Sequence, residues 1–144
     1  MSNKWKIVKG RGVTKGVGEG AALVINGPFT FAHDVEPSTG FIIDLKCGKT
    51  GESVKGKVMV FPFGRGSTTG SAWLLETVRH GNGPSAIINV ETEPILATGV
   101  IMARLLYGVS IPLVDRLEED ISAMVEDDTI IRVDGNTGQV TIGK

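Results

Sequence analysis

Short apolar runs separated by glycine, rather than long amphipathic stretches, set the pattern of this chain. Trp5 to Val8 and Ala21 to Ile25 read as strands. Between them, Lys9 to Gly20 carries five glycines among small and charged residues and predicts a turn or a bulged hairpin. Gly27-Pro28 interrupts the chain, Pro37-Ser38-Thr39-Gly40 predicts a turn, and Phe41 to Asp44 a short strand after it. In the middle third, Lys57 to Phe61 is an apolar run ending at Pro62 and suits a buried strand. Ala72 to His80 predicts a helix, because Ser71, Leu74, Leu75 and Val78 recur on one face, with Gly81 as its stop. Ala86 to Val90 predicts another strand, and Pro94 opens a second helix running to about Leu106 before Gly108. Ser110 to Val114 predicts a third strand of this unit. Thr129 to Val133 and Gln139 to Ile142 flank Asp134-Gly135-Asn136-Thr137-Gly138 as a hairpin.

Strand, helix, strand, helix and strand with short loops predict parallel pairing and right-handed crossovers. The expected architecture is α/β: a small sheet or open barrel with a strand–helix–strand–helix–strand centre, in a single domain over residues 1–144. Composition fits, since 41% of the chain is hydrophobic. The net charge of −1 supplies no long-range attraction for nucleic acid or an anionic membrane, so neither is an expected partner, and any anion site must be local. Cys47 is the sole cysteine and cannot alone hold a structural metal or an iron–sulfur cluster; no metal site is expected in this chain. A polar, basic first ten residues and the absence of a long apolar run point to a cytoplasmic setting. The longest candidate, Ile95 to Tyr107, contains Arg104.

The chemistry concentrates in Gly64-Arg65-Gly66-Ser67-Thr68-Thr69-Gly70-Ser71, between a strand and a helix. The first N–H groups of a helix lack internal partners and carry partial positive charge, so a carboxylate or phosphate can dock there. Gly64 and Gly66 allow close approach, Arg65 can contact an anion, and Thr68 and Thr69 add hydroxyls. A plain capped turn without a ligand needs only one of those hydroxyls. No lysine follows the second glycine, so this is not a P-loop, and the nucleophile elbow's second glycine is missing. The two histidines, His33 and His80, do not favour a hydrolase triad. A serine oxygen can serve as a base where its negative charge is stabilised, and a helix N-terminus with a nearby arginine does that.

Other residues have two readings. His33-Asp34 can line a pocket or cap a loop, and Glu91 with Glu93 can be an acid–base pair or a helix start. Asp115-Arg116 can form an ion pair or meet a partner, and Lys9-Gly10-Arg11-Gly12 can grip an anion or form a solvated turn. Glu118 to Asp128 reads as an acidic solvent face.

Several segments, taken in order, resemble the small subunits of the aconitase X family. They are Lys57-Val58-Met59-Val60-Phe61-Pro62, the Gly64–Ser71 loop, Pro84-Ser85-Ala86-Ile87-Ile88-Asn89, Glu93-Pro94-Ile95-Leu96-Ala97-Thr98-Gly99 and Ile111-Pro112-Leu113-Val114-Asp115-Arg116, with Glu19 to Val24 before and Val133-Asp134-Gly135 after. The sequence departs from the family pattern at Asp34–Gly40, at Cys47 and in the longer helix end at Arg104–Gly108. The resemblance implies a swivelling β/β/α domain and a hydro-lyase active only with a large subunit, which holds an iron–sulfur cluster through its own cysteines. It implies Ser67 as proton acceptor, with Gly64, Arg65, Gly66, Thr68 and Thr69 around a small anionic hydroxy acid. The segments lie nearest to members that dehydrate (R)-5-phosphomevalonate to trans-anhydromevalonate 5-phosphate in an archaeal-type mevalonate route. Other members dehydrate cis-3-hydroxy-L-proline, and a non-enzymatic anion-binding assembly module on the same scaffold is a third reading.

Overall fold

A computed structural model describes residues 5–65 and 69–143. Eight strands form one sheet in the order β1-β8-β7-β3-β4-β5-β6-β2. They are β1 (Lys6–Lys9), β2 (Arg11–Thr14), β3 (Val17–Val24), β4 (Val58–Val60), β5 (Ala86–Ile88), β6 (Leu113–Asp115), β7 (Ile130–Asp134) and β8 (Gln139–Ile142). The helices are α1 (Phe31–Asp34), α2 (Thr69–Arg79) and α3 (Pro94–Tyr107), and a 3-10 turn covers Ile121–Ala123. Strands β4, β5 and β6 pair in parallel, as the alternation of strands and helices predicts, and β3 joins them in parallel alongside β4. The remaining pairs are antiparallel.

The two ends of the sheet, β1 and β2, are consecutive in the chain and meet at Gly10. The sheet therefore curls into a nearly closed barrel. Side chains alternate between its faces. Ala22, Val24, Val58, Val60, Ala86, Ile88, Val114, Ile131, Val133, Val140 and Ile142 form the inner cluster. Leu23, Met59, Ile87 and Leu113 point the other way, onto a second cluster with Phe29, Phe31, Leu74, Leu96 and Val100 from the helical layer. Both faces of β4 and β5 are thus buried, which is why these strands read as unbroken apolar runs.

The first third departs from expectation. Lys9 to Gly20 is not a turn or a self-paired hairpin: it holds β2 and the first half of β3, and β1 and β2 pair with β8 and β6. The glycines within β2 and β3 are there because backbones cross closely, while Gly16 between the two strands, with a φ of 118°, serves the turn. A Cβ on Gly12 would sit 2.0 Å from the Gly135 carbonyl oxygen, and one on Gly20 2.3 Å from that of Gly56. Phe41 to Asp44 is not a strand either, and makes only isolated bridges, Val35 to Ile42 and Phe41 to Ser53. The segment Glu118 to Asp128 is not simply a solvent face, since its Ile121 and Val125 plug the inner cluster while its acidic side chains stay outside. Helix α2 starts earlier than Ala72, at Thr69, and α3 matches its expected span within one residue.

A buried carboxylate ties β2 to β6. Asp115 is fully buried on β6, directly opposite Arg11 of β2. Arg11 donates Nε and Nη2 to the two carboxylate oxygens at 2.8 and 2.7 Å, and Thr92 donates its backbone N–H at 2.8 Å. The Lys9–Gly12 segment consequently grips an internal carboxylate, and Asp115 pairs with Arg11 rather than with its neighbour Arg116, which binds Glu91 through two bonds of 2.9 Å. Glu93 caps α3, accepting from Ile95 and Leu96 N–H at 3.0 and 2.6 Å, with Pro94 in the first turn. Glu91 and Glu93 are therefore structural and do not form an acid–base pair.

Two predictions follow from these contacts. Burial pushes the Asp115 carboxyl up, but the hydrogen bonds from Arg11 and Thr92 outweigh it and hold it below the ordinary 3.8. A carboxylate depressed on folding stabilises the protein at pH above its unfolded value, and that contribution fades as pH falls through the folded value. Asp115→Asn is expected to cost about 2 kcal/mol at neutral pH, with Arg11 left facing a neutral amide. In urea unfolding, the gap between variant and wild type should be constant above roughly pH 5 and shrink below about pH 4; a gap independent of pH would remove the charge from the explanation. For Glu93→Ala a loss of about 1 kcal/mol is expected, and Glu93→Gln should recover much of it, measured by thermal unfolding.

Candidate active site

The glycine loop follows β4 at the carboxyl end of the parallel strands, the edge where loops of such sheets carry ligands. Gly66, Ser67 and Thr68 lie outside the described residues; Gly64, Arg65, Thr69 and Gly70 flank them. Thr69 is the first residue of α2, an 11-residue helix whose N-terminal N–H groups face this loop's end of the chain.

Both flanks rest on one short segment, 29–34, that sequence reasoning did not resolve as a helix. On the strand side, Phe29 bridges Gly64 in parallel, and Arg65 donates its N–H to the Phe29 carbonyl at 3.0 Å. On the helix side, the Cβ position of Gly70 is 3.2 Å from Thr30 Oγ1. Thr30 caps α1 by accepting from Ala32 N–H at 3.1 Å, and Phe31 and Ala32 are buried. The third position of that helix, His33, is exposed and lies beside Trp73 of α2, ring centroids 6.0 Å apart and planes tilted by 49°.

Asp34 does not line an open pocket. It is 1% exposed, and its carboxylate accepts Arg65 Nη2 at 2.9 and 3.1 Å and Thr30 N–H at 3.0 Å. Of the residues expected to bind an anion, Arg65 is thus already engaged by an internal carboxylate, while 46% of its side chain remains exposed. Gly64 packs on the capping Glu93, whose Oε1 is 3.3 Å from the glycine's Cβ position. Ser71 donates to the Ile95 carbonyl at 2.6 Å and so ties α2 to α3 instead of facing a ligand. The usable signal for Asp34 was its place four residues after a capping threonine; a helix of only four residues has too little periodicity to be read.

The hollow beside Arg65, lined by Phe29, Thr30, Gly64, Gly70, Glu93 and others, holds only about 10 Å³. Ligand sites usually offer roughly 300–1,000 Å³. A larger cleft of about 480 Å³ opens over the barrel mouth between Ile25, Val60, Ile88, Leu117 and Ile121, but residues 63–65 do not line it. His80 lies beyond α2, beside Glu76 at 3.4 Å, away from the loop. Among the described residues no group of His, Cys, Asp and Glu could hold a metal ion. Cys47 is partly buried, and burial pushes its thiol up, away from the thiolate that metals require. These residues do not fit an iron–sulfur cluster. No described helix is long and apolar enough to cross a membrane.

Comparison with known proteins places this architecture. Residues 7–142 match the family described as the aconitase X swivel domain. The chain is 40% identical over 137 residues to a phosphomevalonate dehydratase small subunit of Methanosarcina acetivorans, covering 95% of this chain and 91% of that one. It is 42% identical to the protein of the same name from Pyrococcus furiosus, covering 94% of each. Among solved structures, the crystal structure of Thermococcus kodakaraensis aconitase X in its holo form superposes with a TM-score of 0.85 at 35% identity, over 95% of this chain and 98% of that one. A UPF0107 protein solved in solution gives 0.84 at 36% identity. With a family match over residues 7–142 and a superposition covering nearly its whole length, this chain belongs to the aconitase X swivel-domain family.

Proposed function

We propose that this chain is the small subunit of a two-chain hydro-lyase that dehydrates (R)-5-phosphomevalonate to trans-anhydromevalonate 5-phosphate, within a single swivel domain spanning residues 1–144. The observation that carries the reading is the match along almost the full length of relatives that bear that enzyme's name, at about 40% identity. The hollow beside Arg65 supports a second chain: it is too small to enclose a phosphorylated hydroxy acid, so the substrate lies between this loop and a larger partner. In this reading the iron–sulfur cluster of such an enzyme is held by that partner, as the family resemblance implies.

Dehydration breaks a C–H bond at one carbon and the C–O bond at its neighbour, forming a double bond and releasing water. In this reading the chain's share is the proton. Ser67 Oγ removes it, and the α2 N-terminus next to the loop favours the negative oxygen needed for that step. The loop's amides, Gly64 and Gly66 with their lack of side chains, and the hydroxyls of Thr68 and Thr69 receive the substrate's anionic groups.

The test is Ser67→Ala in the complex reconstituted with the large subunit. Turnover of phosphomevalonate is expected to fall by about a hundredfold or more, with assembly and thermal stability unchanged. Near-normal turnover in an intact complex would remove Ser67 as the base. Preference for cis-3-hydroxy-L-proline over phosphomevalonate would overturn the substrate. The isolated chain should show no dehydration of either.

A further inference from the structure

We infer that the cleft over the barrel mouth is a docking site for a basic, apolar segment of the large partner chain, beside the glycine loop and separate from it. The inference rests on the proposed two-chain enzyme.

The cleft holds about 480 Å³, and its place follows from the parallel ladder. The residues that directly follow β3, β4, β5 and β6, namely Ile25, Phe61, Asn89 and Arg116, all line it. Their strands run the same way, so the cleft opens on the edge that also carries the glycine loop. An apolar strip joins the two. Val90, at the cleft, is 65% exposed and donates its N–H to the carbonyl of Pro62, another lining residue, at 2.8 Å. Phe63 comes next in the chain, is 46% exposed and directly precedes Gly64. A second chain that encloses the hollow beside Arg65 reaches this strip as well, and covering exposed apolar side chains favours association.

Charge decides what sort of segment fits. Among the lining residues Arg116 is the cation and Glu118, Glu119 and Asp120 are the carboxylates, so one positive and three negative charges leave −2. The ion-pair partners outside the lining, Glu91 on Arg116 and Lys6 on Glu119, cancel each other and leave that sum unchanged. Arg116 is neutralised through two bonds of 2.9 Å to Glu91, whereas Glu118 has no ion pair among the described residues. The uncharged lining has the same bias. Asn89 donates Nδ2 to the Phe61 carbonyl at 2.9 Å, and its buried Oδ1 has no donor among the described residues. The volume is sufficient for a phosphorylated hydroxy acid, but the sign of the rim repels one. The complement is a segment with an apolar side chain for the floor of Val60, Ile88 and Ile121, and a lysine or arginine for the Glu118–Asp120 rim.

The experiment titrates the large chain into this one by calorimetry, at low and at moderate salt. Glu118→Lys and Val90→Asp are compared with wild type, and Glu19→Lys, an exposed position at the other end of β3, controls for net charge. Each cleft variant is expected to weaken association at least tenfold, and Glu118→Lys to lose most of the salt dependence that wild type shows. Glu19→Lys should stay within twofold. All three side chains are exposed, so melting temperatures should not move, which separates lost docking from lost folding. Affinity within twofold of wild type in both cleft variants overturns the docking site and leaves the two-chain enzyme standing. An equal loss in Glu19→Lys reduces the effect to net charge and overturns it too. If the cleft variants instead abolish self-association of this chain, or its binding of spermidine, while the large chain still binds, the occupant is a second copy or a small cation and the proposal is wrong. Failure of the wild-type chains to associate at all sinks the two-chain reading itself, a separate result.

Discussion

Everything at the candidate site depends on the parallel ladder β3-β4-β5-β6. Parallel pairing obliges the chain to cross over between strands, and the crossovers α2 and α3 cover one face of the sheet while the barrel's other strands curl round the opposite face. The same constraint sends every loop that leaves a strand towards a crossover to one edge. The glycine loop after β4 and the capped entrance to α3 after β5 are therefore neighbours, and Gly64 packs on the capping Glu93. The site is a by-product of topology before it is a property of any single residue.

That ladder was also the most legible part of the sequence. Strands buried on both faces appear as unbroken apolar runs, and α3 announces itself by a proline at its start and Gly108, with a φ of 68°, at its end. The first third was misread because glycine has two structural uses with the same letter. In a turn it supplies positive φ; in β2 and β3 it leaves room for a crossing backbone, as at Gly12 against Gly135. Only the crossing segments, distant in the chain, distinguish the two. Asp115 shows the same limit, because its partner Arg11 is 104 residues distant and its neighbour Arg116 is bound elsewhere.

At the site itself, residue types were legible and their pairings were not. Gly64 and Arg65 lie where a loop after a buried strand should place them, and Thr69 opens the helix. What sequence pattern could not convey is that Arg65 is held by Asp34, since α1 is a single turn and its caps are tertiary. Ser67 lies outside the described residues, so its assignment draws on family resemblance and on the supports either side of it.

A half-site of this kind places opposed demands on the chain. On the proposed reading it must present positive potential to an anionic substrate, yet stay folded with that surface open until a partner covers it. An unpaired arginine at the loop would satisfy the first demand and attract any anion, at a position that must not be obstructed. The structure meets both by dividing the positive charge. Arg65 is tied to a buried carboxylate, and helix α2 contributes a partial charge that is fixed in direction and falls off within about a turn. On the proposed reading, binding strength should be low in the isolated chain and rise when a second surface excludes water, because the same dipole counts for more in a low-dielectric, closed site. The small hollow of about 10 Å³ beside Arg65 suits a loop that, on the proposed reading, works between two chains.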